Sequence, residues 1–163
     1  MRIYLIGLPG CGKSTLGKKL AQKLNYEFID MDSYIEKSAG MFVDEIFEKY
    51  GEDYFRALES NVLSDFLSLD NVIIATGGGV IKNKDNKDKM SGLCIFLKVP
   101  LTVLEKRLDK SSVIRPLLKE KTIYDLYQER KDLYEYFKDI SVLNTNIDEA
   151  VVNILEALGK WKF

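Results

Sequence analysis

The chain has no histidine among its 163 residues. Reactions that need an imidazole base or a His-ligated metal are therefore excluded, whereas phosphoryl transfer is not, because it depends mainly on positioning and charge stabilisation. Cysteine is scarce: Cys11 and Cys94 are far apart and form no metal or redox motif. A net charge of −1 gives no broad basic surface, so nucleic acid is not an expected partner. No apolar stretch approaches the length of a membrane span. The apolar run near residue 3 is too short for a secretory leader and leads directly into a glycine-rich loop, so the expected location is cytoplasmic. There is no internal repeat and no Pro- or Ser-rich linker.

What is present is an ordinary globular mixture, 46% hydrophobic and 30% charged, of a length that suits one domain with a sizeable core. Within it, Gly7-Leu8-Pro9-Gly10-Cys11-Gly12-Lys13-Ser14 matches every fixed position of the phosphate-binding pattern G-x-x-x-x-G-K-[ST]. The apolar run Ile3-Tyr4-Leu5-Ile6 before it reads as a buried strand. After it, Leu16, Leu20 and Leu24 recur at helical spacing. Strand, glycine loop and helix together aim backbone N–H groups and a positive helix end at a polyphosphate. A Gly-rich turn followed by an ordinary helix is the plainer alternative, and the complete motif in its proper context argues against it. Lys13 is placed to reach the β- and γ-phosphates, and the Ser14 hydroxyl to hold Mg²⁺. Cys11, at a helix N-terminus near Lys13, is a position where a thiol becomes reactive. The expectation is that nucleotide shields it from alkylation, while Cys94 lies in an apolar run and reads as inert core.

Strand-like runs at 2–6, 27–30, 72–75, 93–97 and 140–143 alternate with helical stretches near 13–24, 32–38, 43–49, 52–69, 101–108, 123–138 and 147–158. That alternation predicts an α/β fold with a parallel sheet covered on both faces. Ligands then bind beyond the carboxyl ends of the strands. The polar stretch 82–89 reads as a solvated loop or helix surface. Residues 109–122, with Ser111, Ser112, Arg115 and Pro116, lack periodicity and interrupt two helical patterns, as a mobile lid does.

Charged and glycine residues gather just after the strands. Asp30 and Asp32 lie two apart at the end of the second run. One suits Mg²⁺ and the other an acceptor hydroxyl, although Asp32 also suits the cap of the next helix. The third run, Val72-Ile73-Ile74-Ala75, ends on Thr76 with no acid for the metal, which leaves Asp30 as the best candidate. Gly77-Gly78-Gly79 then permits close backbone approach to a ligand, or is a plain turn. Arg56 and Glu59, three apart, form either a surface ion pair of little value or a guanidinium held ready for two-point recognition of a carboxylate. Arg115 and Arg130 carry the same two readings.

Taken together, Gly10-Cys11-Gly12-Lys13-Ser14-Thr15, Phe28-Ile29-Asp30-Met31-Asp32, Gly51-Glu52 with Phe55-Arg56 and Glu59, Gly77-Gly78-Gly79, Arg115-Pro116-Leu117-Leu118, and Arg130 with Leu133-Tyr134 resemble the shikimate kinase family over nearly the whole chain. The resemblance implies the P-loop kinase fold, three-layer α/β/α with a central five-stranded parallel sheet and a mobile lid, in a single domain over 1–163. Substrate-binding helices would span about 32–60. It implies phosphoryl transfer from ATP to the 3-hydroxyl of shikimate, giving ADP and shikimate 3-phosphate on the route to chorismate and aromatic amino acids. Lys13, Asp32 and Arg115 would be catalytic. Gly10, Cys11, Gly12, Lys13, Ser14, Thr15, Arg107 and Arg115 would bind ATP, with Arg107 over the adenine. Asp32, Arg56, Gly77, Gly78, Gly79 and Arg130 would bind shikimate, with Phe47 and Phe55 as apolar walls or simply helix core. Ser14 would ligate Mg²⁺ directly and Asp30 through water. A monomer is implied. The family usually carries Asp-Thr and a later proline after the last strand. Here Leu143-Asn144-Thr145-Asn146 stands instead, a departure on the adenine side.

Other kinases on the same scaffold, acting on gluconate or a nucleoside monophosphate, would also use the loop and lid. They give no reason for Asp32, Arg56, three glycines and Arg130 together. A nucleotide-binding regulatory module without turnover has no need of an acceptor-side acid such as Asp32.

Overall fold

The structure, a computed structural model, describes residues 1–111 and 115–161. Five strands, β1 (Arg2–Ile6), β2 (Glu27–Asp30), β3 (Val72–Ala75), β4 (Leu93–Lys98) and β5 (Ile140–Leu143), form one sheet in the order β2-β3-β1-β4-β5. Every neighbouring pair is parallel. The central strands are apolar along their whole length because both faces are covered: Ile3 to Ile6 and Val72 to Ile74 are fully buried.

The register shows which helix covers which face. Leu5 pairs with Ile95, and Ile6 with Phe96. On the Leu5 face lies α1 (Lys13–Leu24), whose Gly17 abuts Phe28 and Leu5 so closely that a Cβ would fall 2.5 Å from the Phe28 ring. The helix α8 (Ile147–Trp161) packs beside α1. On the opposite face, Phe96 stacks on Tyr134 of α7 (Ile123–Phe137), ring centroids 4.7 Å apart. Near α7 on that side lies α6 (Leu101–Asp109). Two helices, α2 (Met31–Ala39) and α3 (Val43–Tyr50), lead into α4 (Glu52–Asp65) beside the ends of β2 and β3.

All five expected strands are present, and the expected helices match to within a few residues. The stretch expected as one helix over 52–69 ends as α4 at Asp65 and tightens into a 3-10 turn, Phe66–Ser68. The polar stretch 82–89 is more than solvated surface. It includes the short α5 (Asn86–Lys89), whose Asn86 is buried and donates to the Val80 carbonyl at 2.8 Å. Of the expected lid at 109–122, residues 112–114 lie outside the described residues, and Pro116–Lys119 forms a 3-10 turn.

Candidate active site

The loop between β1 and α1 sits at the carboxyl end of the central strand. Its curl needs left-handed backbone, φ +79° at Gly10 and +92° at Gly12. Gly12 precedes α1 with no side-chain cap, and no acidic residue occupies the first turn. The leading N–H groups of α1, including those of Ser14 and the exposed Thr15, therefore point at the loop's interior as an anion-binding nest. Lys13 lies across the loop, its Nζ donating to the Gly7 carbonyl at 2.8 Å and Leu8 at 3.2 Å.

Cys11 departs from expectation. Its side chain is 1% exposed and packs beneath Gly7, where a Cβ would come 2.6 Å from its sulfur. The thiol is buried within the folded loop rather than presented at its surface. Cys94 is inert core as expected, and burial pushes its thiol up to about 12.

Ser14 Oγ donates to Asp30 Oδ2, which joins the loop to the end of β2. Asp30 is also the N-cap of α2, its Oδ1 accepting from the Ser33 amide at 3.1 Å. The capping role weighed for Asp32 thus belongs to Asp30, and Asp32 in the first turn of α2 is released from it. A hydroxyl and a carboxylate fixed against each other are hard oxygen donors suited to Mg²⁺, which takes few protein ligands and completes its shell with phosphate oxygens and water. Among the described residues no cluster of three or more His, Cys, Asp or Glu exists to hold a metal by itself. Thr76, at the end of β3, donates to the Leu5 carbonyl at 2.9 Å and is a strand tie.

Asp32 Oδ1 is buried with no hydrogen-bond partner among the described residues. Burial and the neighbouring Asp30 charge push its carboxyl up to about 6, against the pull of Lys13 and Arg56. Beside it lies Glu59, fully buried, whose carboxyl burial raises to about 7 against the pull of Arg56. Arg56 Nη1 donates to both Glu59 oxygens, at 2.8 and 2.7 Å. The same guanidinium lies over the Phe55 and Phe47 rings, 5.3 and 5.9 Å from their centroids. Phe55 is buried core and Phe47 is half-buried.

The three glycines after β3 pass through this cluster, and Gly77 and Gly79 leave no room for a side chain. A Cβ at Gly77 would lie 2.4 Å from Glu59 Oε1 and 2.9 Å from Asp32 Oδ1. At Gly79 it would lie 2.3 Å from Arg56 Cζ. The Gly78 carbonyl accepts from Arg130 Nη1 at 2.8 Å and from Tyr134 Oη at 3.1 Å. Arg130 is 2% exposed, and its Nε has no partner among the described residues. Arg56 and Arg130 therefore flank Gly78 and Gly79. Arg115 approaches from the expected lid, donating to Ser111 Oγ at 3.1 Å. Burial lowers the affinity of its guanidinium for a proton, while the Asp32 charge opposes that shift.

Sequence reasoning missed two supports. Glu52 Oε1 faces Arg56 Nε and Nη2 at 3.4 Å and accepts from Lys82 Nζ at 2.7 Å. The i,i+4 spacing of Glu52 and Arg56 was the available signal; nothing local pointed to Lys82. Tyr134, by its bond to Gly78, is the other. Arg107 lies on the opposite side of the loop, donating to the Gly10 carbonyl at 3.3 Å and to the Asn144 carbonyl at 2.9 Å. As an expected outcome, Gly79→Ala pushes Arg56 aside, which raises KM for the acceptor while KM for the nucleotide stays within about twofold. Steady-state kinetics with each substrate varied in turn measures this.

A family model for shikimate kinase matches residues 9–159. The chain belongs to the shikimate kinase family. A shikimate kinase of Clostridium botulinum strain 657 is 43% identical over 166 residues, covering 98% of this chain and 97% of that protein. Among solved structures, shikimate kinase from Bacteroides thetaiotaomicron is 35% identical with a TM-score of 0.88, covering 98% of both chains. Shikimate kinase from Acinetobacter baumannii, solved in complex with shikimate, is 32% identical with a TM-score of 0.86 over 99% of this chain and 94% of that one.

Proposed function

We propose that the chain transfers the γ-phosphate of ATP to the 3-hydroxyl of shikimate, giving ADP and shikimate 3-phosphate for chorismate and aromatic amino acid synthesis. One observation carries the reading: a buried acid with an unpaired oxygen, Asp32, stands between a phosphate loop and two arginines flanking a side-chain-free glycine run. The acceptor has one carboxylate and three hydroxyls, and this arrangement offers arginines, an acid and backbone without side chains for those groups.

Arg56 and Arg130 clamp the carboxylate, and Gly77, Gly78 and Gly79 meet the ring hydroxyls. Asp32 accepts a hydrogen bond from the acceptor hydroxyl and takes its proton as oxygen attacks the γ-phosphorus. The bond from that phosphorus to the β-phosphate oxygen breaks and ADP leaves. Gly10, Cys11, Gly12, Lys13, Ser14 and Thr15 hold the phosphates, and Arg107 covers the adenine. Arg115 steadies charge on the transferring group as the lid, 109–122, closes and excludes water. Ser14 directly, and Asp30 through water, would hold Mg²⁺, which would supply neutralisation of phosphate charge. The chain works as one domain over 1–163, a cytoplasmic monomer. No helix among the described residues is long and apolar enough to cross a membrane.

Release of ADP in a coupled assay with shikimate, gluconate and AMP tests the substrate. Turnover with shikimate is expected; turnover with gluconate or AMP and none with shikimate overturns the reading. The pH profile supplies a further expectation. Only the carboxylate form of Asp32 accepts the proton, and its carboxyl is raised to about 6 in the free chain, so kcat/KM for shikimate falls as pH drops through about 6 and levels above it. An acid limb near the ordinary carboxylate value of about 4 would contradict this.

A further inference from the structure

Asn144, in the segment that departs from the family pattern, is fully buried. Its amide nitrogen donates to the Cys11 carbonyl in the phosphate loop at 2.8 Å. A carbonyl faces that side-chain atom, so the atom must be the NH₂ and the amide orientation is fixed. Its backbone N–H donates to the Lys98 carbonyl at 2.8 Å, which anchors the residue to the end of β4. Its own carbonyl accepts from Arg107 Nη2 at 2.9 Å, and Arg107 Nη1 reaches Gly10 at 3.3 Å. The Asn144 amide also fills the space beside Gly12, where a Cβ would fall 2.5 Å from its nitrogen. Asn144 Oδ1 has no partner among the described residues, so the link to Cys11 is what orients the amide.

We infer that Asn144 is a positioning residue of the nucleotide site, acting through the backbone of the phosphate loop rather than by recognising the base. The inference rests on the reading of the loop as the nucleotide-phosphate site. The Cys11 carbonyl is a buried acceptor between the left-handed turns at Gly10 and Gly12, and leaving it unpaired carries the desolvation cost of a lone buried polar group. The side chain supplies that pairing, while the main chain of the same residue holds Arg107. Removing the side chain cuts the first connection and leaves the second.

The test is calorimetric binding of ADP and of inorganic tripolyphosphate to the full chain and to Asn144→Leu, which keeps the volume, and Asn144→Ala. Both ligands are expected to weaken by about tenfold and to similar extents, with KM for shikimate within about twofold. A loss confined to ADP would make Asn144 a base contact and overturn the inference; so would unchanged affinity for both. Failure of the unsubstituted chain to bind either ligand would instead overturn the underlying nucleotide reading, and the inference with it. Because a variant can fail to fold, the native chain supplies a second measurement. The Asn144 side-chain amide protons should exchange slowly with solvent and shift on addition of tripolyphosphate. Fast exchange and no shift would contradict the inference.

Discussion

Asp32→Asn lowers kcat by about 10²–10⁴-fold while leaving ADP affinity within about threefold. The amide keeps the shape of the side chain and deletes its capacity to take a proton. The substitution separates chemistry from stability. In the folded chain burial and the Asp30 charge hold the Asp32 carboxyl at about 6, above its ordinary value, so at neutral pH its charge opposes folding. The sign follows: a carboxyl raised by folding contributes stability below its unfolded value, and that contribution is lost as pH rises through about 6. Asp32→Asn therefore melts at the same temperature as the native chain or higher at pH 8, even as turnover collapses. Steady-state kinetics and a thermal melt read both quantities. A variant with kcat within about threefold of native would remove Asp32 from the chemistry.

Arg56→Ala raises KM for shikimate by about 10²-fold or more, with KM for ATP within about twofold, because one arm of a desolvated carboxylate clamp is lost. It also leaves Glu59 buried without the guanidinium that both of its oxygens contact. Breaking a buried pair from one side costs on the order of 3 kcal/mol. Burial already raises the Glu59 carboxyl to about 7, and loss of Arg56 pushes it higher. Protonation then relieves the unpaired charge at low pH, so the loss of stability grows from pH 5 to pH 8. Arg56→Lys keeps the charge without the planar guanidinium, and should recover much of the stability and little of the affinity for shikimate. Equal weakening of ATP and shikimate in Arg56→Ala would contradict the clamp.

The contrast between these residues shows what local pattern reveals. The strand Ile3-Tyr4-Leu5-Ile6 and the helix behind it were legible because periodicity and burial agree at each position. Asp30, Asp32, Arg56 and the glycine run were legible as a set because chemistry accumulates at the carboxyl ends of parallel strands. Their division of labour was not. Asp30 takes the cap of α2 because the helix begins one residue earlier than the pattern suggested, a detail set by backbone geometry. The burial of Cys11 arises from the fold of its own loop, in which the sulfur packs under Gly7. Lys82 and Asn144 act on partners 30 and 133 residues away, distances at which spacing carries no signal.

A crystal structure of the chain with shikimate and ADP bound tests the central claim most directly. The account predicts the shikimate carboxylate between Arg56 and Arg130 and its 3-hydroxyl within hydrogen-bonding reach of Asp32, facing the loop at 7–14. Shikimate bound away from all three of these side chains would contradict it.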